Sequence, residues 1–212
     1  MKTAAILAVA GVAAAASAQA INIDVANPTL NPGESTTVTL SASFDPADYA
    51  MAGILTNVIS SVGSTGWSNL ALIAPMDGPG TTAGTASATG VDGIIAGQLN
   101  FPLAGIYADP TNPIAFWSAT YTAPAVVDDP FTVDLSTRTE RFDVYIARDR
   151  SRSESRLADL VEGSGAINVV PAPASLALLG LGGLAAARRR ANRLRGHPIV
   201  TAPADPIALL DA

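Results

Sequence analysis

Apolar and polar positions alternate along most of the chain, in short runs cut by turn residues. Ile21-Asn22-Ile23-Asp24-Val25 alternates, Asn31-Pro32-Gly33-Glu34 reads as a turn, and Thr36 to Ser43 alternates again with β-branched residues. Further strands are predicted over Met51 to Ile59, Trp67 to Ile73, Ile94 to Phe101, Ile114 to Thr122, Phe131 to Leu135, Phe142 to Ala147 and Ala166 to Val170. Nine short segments with Pro, Gly and Asp between them predict a mainly β fold, an antiparallel β-sandwich. The Gly/Thr/Ala-rich stretch from Asp77 to Gly93 lacks large side chains and is expected to be a long surface loop. One short helix is expected as well. Ser151-Arg152-Ser153-Glu154 has capping-box spacing, Leu157, Leu160 and Val161 share a helical face, and Gly163 stands where a stop belongs. Arg150 and Glu154 add an i,i+4 pair.

The two ends break this pattern. Lys2, the apolar run from Ala4 to Ala16, and Ala18-Gln19-Ala20 have the three-part layout of an export signal, with cleavage after Ala20. From Val169 to Ala187 no residue is charged; as a helix that run reaches roughly 28 Å, enough for a thin bilayer. Arg188, Arg189, Arg190, Arg193 and Arg195 follow, and arginines so placed stay on the cytoplasmic side. The chain therefore divides into a signal peptide (1–20), an acidic sandwich (21–170), a C-terminal address (171–190) and a proline-punctuated tail (191–212) expected to be disordered.

Val170-Pro171-Ala172-Pro173-Ala174-Ser175, then a Leu/Gly-rich stretch, then the arginine cluster, resembles the PEP-CTERM sorting signal of bacterial exported proteins. The resemblance implies an exosortase-type transpeptidase as partner, acting at Pro171-Ala172-Pro173, with the helix and basic tail discarded as the protein moves to the envelope or matrix. Ala172 stands where that family usually has glutamate, and 22 residues follow Arg190 where it usually stops. Residues 21–170 resemble, in layout, the cohesin-like and Ig-like sandwiches found ahead of such signals. The Asn31-Pro32-Gly33-Glu34 turn and the Gly165-Ala166-Ile167-Asn168-Val169 strand running into the sorting motif carry that likeness.

Charge narrows the chemistry. Residues 21–170 hold 16 acids and 6 bases, a net charge of −10, and all six bases lie between Arg138 and Arg156. Such a domain does not offer the clustered basic face a nucleic-acid binder needs. The chain has no cysteine, its one histidine is His197 and its one lysine Lys2. Disulfides, thiolate zinc sites, Ser-His-Asp and Cys-His nucleophiles, Schiff-base lysines and phosphate loops are thereby excluded from the sandwich. Gly78-Pro79-Gly80-Thr81-Thr82 has no lysine to complete such a loop.

What survives is carboxylate and aromatic chemistry. A two-carboxylate glycoside hydrolase is open in principle, yet Asp45 with Asp48 and Asp128 with Asp129 sit in turn-forming sequence. No cofactor is expected, with calcium as the open alternative, held by Asp45, Asp48, Asp77, Asp109 and Asn112. Trp67, after Gly63-Ser64-Thr65-Gly66, is the expected exposed platform for a matrix polysaccharide. Trp117 is expected to be half in the core, with Phe116, Ser118 and Thr120 on the opposite face from Trp117 and Tyr121. The leading expectation is a non-enzymatic protein of the cell envelope or extracellular matrix, transiently anchored in the inner membrane. Its sandwich would act by surface interaction with matrix polysaccharide or another envelope protein; the alternative is a sugar- or calcium-binding module.

Overall fold

The computed structural model describes residues 19–148 and 154–171. Eleven strands are found there: β1 Ala20–Val25, β2 Thr29–Leu30, β3 Ser35–Ser43, β4 Ala50–Ser60, β5 Trp67–Leu72, β6 Thr82–Ser87, β7 Gly90–Gly97, β8 Ile114–Thr122, β9 Phe131–Tyr145, β10 Ser155–Leu157 and β11 Ser164–Val169. One sheet runs β1-β3-β8-β5, the other β2-β11-β9-β4-β7-β6 with β10 beside β9. Every pairing is antiparallel except β11 on β2.

The alternation in the sequence becomes the two inner faces. On β3, Thr36, Val38, Leu40 and Ala42 are buried while their neighbours face outward. Val38, Leu40 and Ala42 meet Ile54, Val58, Ile94, Val133, Phe142 and Ile167 from the other sheet in one apolar core. The Asn31 to Glu34 turn forms as expected. The Asn31 N–H donates to Glu34 Oε2 at 2.8 Å, the Glu34 N–H donates back to the Asn31 carbonyl at 3.0 Å, and Gly33 takes a left-handed φ of 77° between them.

Three local expectations are corrected. The stretch from Asp77 to Gly93 is not a loop throughout, because β6 and β7 form an edge hairpin within it. Small residues suffice on an edge strand, and Gly84 (φ 82°) sits close against the Asp92 carbonyl and the Ile94 side chain. The helix expected from Ser151 does not form over its described part. Ser155–Leu157 is instead an extended strand on Tyr145, Val144 and Asp143 of β9, with Leu157 and Val161 exposed, and residues 151–153 lie outside the described residues. A two-turn helix gains little by itself in water, and here the open edge of a 15-residue strand competes for the same backbone groups. Among the described residues the sole helical element is a 3₁₀ turn at Pro102–Ala104.

Phe116 faces the core together with Trp117, against strict alternation. The register of β3 on β8 steps from Leu40 opposite Trp117 to Ser41 opposite Ala115, leaving Phe116 as the extra residue of a β-bulge.

Candidate functional site

The outer face of β9, β4 and β7 is a strand-built surface with mixed chemistry. β4 turns Leu55, Asn57 and Ile59 outward; Leu55 pairs with Ile95 of β7 on one side and with Arg141 of β9 on the other. Ile59 and Ile95 are exposed. Gly53 lies opposite Gly97, so at that end β4 and β7 carry no side chains, while Asp143 of β9 stands beside Gly53. Two shallow hollows cross it, one of about 280 Å³ edged by Leu55, Ile95 and Arg141, the other of about 380 Å³ edged by Asn57, Ile59, Asp92, Arg138 and Glu140. Arg138 faces Glu140 at 3.7 Å and Arg141 pairs with Asp143, so both arginines are held in register beside the apolar row. The Asp143 carboxylate in turn raises the Arg141 guanidinium above its ordinary value, through its hydrogen bonds first and its charge second. This face offers apolar contact with flanking charge.

Four of the five residues singled out for a cation make local structural bonds. Asp45 Oδ1 accepts from the Ala47 N–H at 2.9 Å and its carbonyl from the Asp48 N–H at 2.9 Å, a capped turn. Asp48 is buried and accepts two bonds from Arg156, Nε to Oδ1 at 3.2 Å and Nη2 to Oδ2 at 2.6 Å. Asp109 Oδ1 accepts from the Thr111 hydroxyl at 2.6 Å and N–H at 2.8 Å, and those bonds hold its carboxyl below the ordinary range. Asn112 acts as a piece of backbone: Nδ2 donates to the Phe44 carbonyl at 2.7 Å and Oδ1 accepts from the Phe44 N–H at 3.1 Å, extending the β3–β8 ladder past its last pair. Asp77 is exposed beside Gly97. Thus Asp45 and Asn112 are brought alongside through Phe44, and Asp45 Oδ1 and Asn112 Oδ1 each accept a backbone N–H. Among the described residues no three His, Asp or Glu side chains are grouped to hold a metal ion.

Trp67 corrects its expectation. It is buried, packed at 5.5 Å from the Tyr121 ring and 6.5 Å from Trp117, so no face is left for a sugar. Gly66 (φ 84°) turns the chain inward before it, and a flat aromatic beside a hydrophobic β8 is worth more covered than exposed. Trp117 is wholly buried and donates Nε1 to the Ala83 carbonyl at 2.9 Å. Sequence reasoning missed the Asp48–Arg156 pair and two buried amides, Gln98 and Asn100, for which residue type gave no signal.

The two end segments expected to be addresses fall only partly within the described residues. Ala20 opens β1; its N–H donates to Ser43 Oγ at 3.2 Å. Val169 ends β11, the Val170 N–H donates to the Leu30 carbonyl at 2.9 Å, and Pro171 is the last described residue of that segment. Val169 and Val170 thus belong to the sandwich. Ala18, Ala172, Pro173, Arg188, Arg189, Arg190 and the expected apolar helix lie outside the described residues.

Residues 169–191 match the PEP-CTERM protein-sorting motif, which implies export and envelope association. No curated protein matches the chain. The sandwich is similar to the seventh ScaB type I cohesin of Pseudobacteroides cellulosolvens, with 12% identity over 73% of this chain and 94% of that one and a TM-score of 0.51. It is also similar to the cohesin module of a family 33 glycoside hydrolase from Clostridium perfringens, with 9% identity, 73% and 98% coverage and a TM-score of 0.46. A third is the cohesin of a type I cohesin–dockerin complex from Clostridium thermocellum, with 17% identity, 72% and 99% coverage and a TM-score of 0.42. At such identity the likeness to the ScaB module speaks for fold alone: the chain is an antiparallel sandwich of cohesin type followed directly by a PEP-CTERM sorting motif.

Proposed function

We propose that this protein is exported, delivered to the cell envelope or extracellular matrix by its C-terminal signal, and acts there by binding through the outer face of β9, β4 and β7. The observation that carries the reading is continuity: the sorting motif starts at Val169, the last residue of β11, with no linker between address and sandwich. An exosortase-like transpeptidase acting at Pro171-Ala172-Pro173 would leave a complete sandwich whose C-terminus is its own interior strand. Before that step the Leu/Gly-rich segment and Arg188, Arg189 and Arg190 hold the chain transiently at the inner membrane; cleavage after Ala20 frees the other end. The partner engaged by the Leu55, Ile59 and Ile95 row is a matrix polysaccharide or, better matched by an apolar row flanked by arginines, another envelope protein.

The test is the intact mass and terminal sequence of the protein recovered separately from membrane, envelope and medium. A species starting at Ile21 and ending between Pro171 and Ser175 is expected outside the inner membrane. A full-length C-terminus kept in the membrane overturns the processing step. In the same fractions, Leu55→Arg combined with Ile95→Arg is expected to move the processed protein from envelope to medium without changing its termini; unchanged retention overturns the assignment of the face.

A further inference from the structure

The connection from β7 to β8 carries a second surface, unlike the sheet face. No charged residue occurs between Asp92 and Asp109, and Leu99, Phe101, Leu103, Ile106 and Tyr107 are exposed by between 44% and 73% of their surface. Five large apolar side chains left in water within nine residues are a contiguous patch that asks for a cover.

The patch is rigidly mounted. Gln98 is buried and donates Nε2 to the carbonyls of Met51 (2.8 Å) and Asp109 (3.1 Å), while its Oε1 accepts from the Asp109 N–H at 2.7 Å. Asn100, also buried, accepts from the Ala108 N–H at 3.3 Å and donates to the carbonyls of Ala147 and Arg148 at 3.4 Å. Tyr145 and Tyr49 donate their hydroxyls to the carbonyls of Gln98 and Ala108 at 2.9 and 2.7 Å. Both roots of the loop are thus clamped, and only the side chains between them reach outward.

The apex also closes its own backbone. Phe101 and Ile106 exchange N–H to carbonyl bonds at 2.8 and 3.2 Å, Ala104 donates to Phe101 at 2.9 Å, Gly105 to Pro102 at 2.9 Å, and Pro102 has no N–H to offer. Gly105, at φ 72°, makes the turn possible. A tip that satisfies its own donors has few left for a protein partner, whose interfaces run at about one hydrogen bond per 100–200 Å². One small loop also falls short of the ~800 Å² per partner that a stable protein interface takes. A lipid surface demands the reverse: apolar side chains and a backbone satisfied from within. On its shoulder the Arg148 guanidinium lies 4.6 Å over the Tyr107 ring, a cation beside an aromatic of the kind that sits at headgroup level.

We propose that the Leu99–Tyr107 tip inserts into the interface of a phospholipid bilayer, with Leu103 deepest and Tyr107 and Arg148 at the phosphates. Topology fixes which way it points. β9 runs from Phe131, opposite Val169 of β11, to Tyr145, whose hydroxyl holds the tip's root. A 15-residue strand, roughly 45 Å at ordinary rise, separates the tip from the point where the chain leaves toward its sorting segment. The tip thus lies at the opposite end of β9 from Val169, and its docking is independent of the sheet-face reading.

The chain has no cysteine, so Leu103→Cys in the full-length protein takes a single environment-sensitive fluorophore, and Thr85→Cys on β6 gives a matched control. Both are titrated with vesicles of phosphatidylcholine containing phosphatidylglycerol, with and without brominated acyl chains. At position 103 a blue shift, a several-fold rise in emission and quenching by the brominated lipid are expected, with none at position 85. Phe101→Ser or Ile106→Ser, each checked for a native melting transition, is expected to abolish the response at 103. No response at 103 overturns the proposal even where the protein binds vesicles through its C-terminal segment. A blue shift at 103 that grows with protein concentration and needs no vesicles overturns it in favour of a second copy of the chain.

Discussion

Arg156 on β10 and Asp48 before β4, 108 residues apart in sequence, form two bonds of 3.2 and 2.6 Å across the edge of the larger sheet. The partners are unequal: the Asp48 side chain is 4% exposed, that of Arg156 45%. Removing the arginine leaves a carboxylate in a dry site, whereas removing the carboxylate leaves an arginine that turns to water. Arg156→Ala is therefore expected to cost about 1–2 kcal/mol, discounted for the screening on the exposed side, and Asp48→Asn less. Urea unfolding of the two variants checks the order; equal losses would sink the argument.

Trp67 and Trp117 differ in one bond. Trp67 Nε1 is buried without a partner, while Trp117 Nε1 has the Ala83 carbonyl. Trp67→Phe removes an orphaned donor and is expected to cost well under the 3–5 kcal/mol of a large-to-small core change. Trp117→Phe strips the Ala83 carbonyl of its donor and should cost about 1 kcal/mol more than Trp67→Phe. Denaturant midpoints decide it, and a costlier Trp67→Phe would refute the assignment.

Gly90 and Gly80 both have positive φ, 136° and 82°. A Cβ on Gly90 would fall inside contact distance of the Val58 carbonyl, where the register of β4 on β7 shifts, whereas at Gly80 it meets open space. Gly90→Ala is expected to lose about 2–3 kcal/mol and Gly80→Ala about 1, the backbone term alone. Thermal melting of both separates clash from conformation.

The Asp109 carboxyl is held below its ordinary range by the Thr111 hydroxyl first and its N–H second. With the folded value depressed, the contribution to stability is fully present above the ordinary aspartate value of about 3.9 and fades as pH falls through the lower folded one. Thr111→Val keeps the N–H bond and removes the hydroxyl, so the Asp109 titration should move upward but not all the way. Carboxyl NMR reads this directly, and an unmoved titration would discount the hydroxyl.

Much of the fold was legible because burial on one side of a sheet writes itself as alternation; β8 begins and ends at Ile114 and Thr122, where the pattern places it. What was not legible was decided by tertiary partners. Phe116 breaks alternation at a bulge that only β3 reveals, and β6 is a strand because β7 and the Trp117 indole lie beside it. Residues 155–157 extend because the edge of β9 is open there. The same holds for the site: Asp48 and Asn112 looked like ligands by type, and their actual partners, Arg156 and the Phe44 backbone, are far away in sequence. Trp67 looked exposed because its flanking glycines read as a loop, when Gly66 is what folds it inward.

The position of β11 bears on load. It lies between β9, antiparallel over six residues, and β2, parallel over two, and the chain leaves from its end. If the envelope grips the protein at that end while a partner or bilayer pulls at the far pole, tension runs along the strand axis. The hydrogen bonds flanking β11 are then sheared together instead of being opened one after another, so the attachment point is also the mechanically strongest way to hold this sandwich.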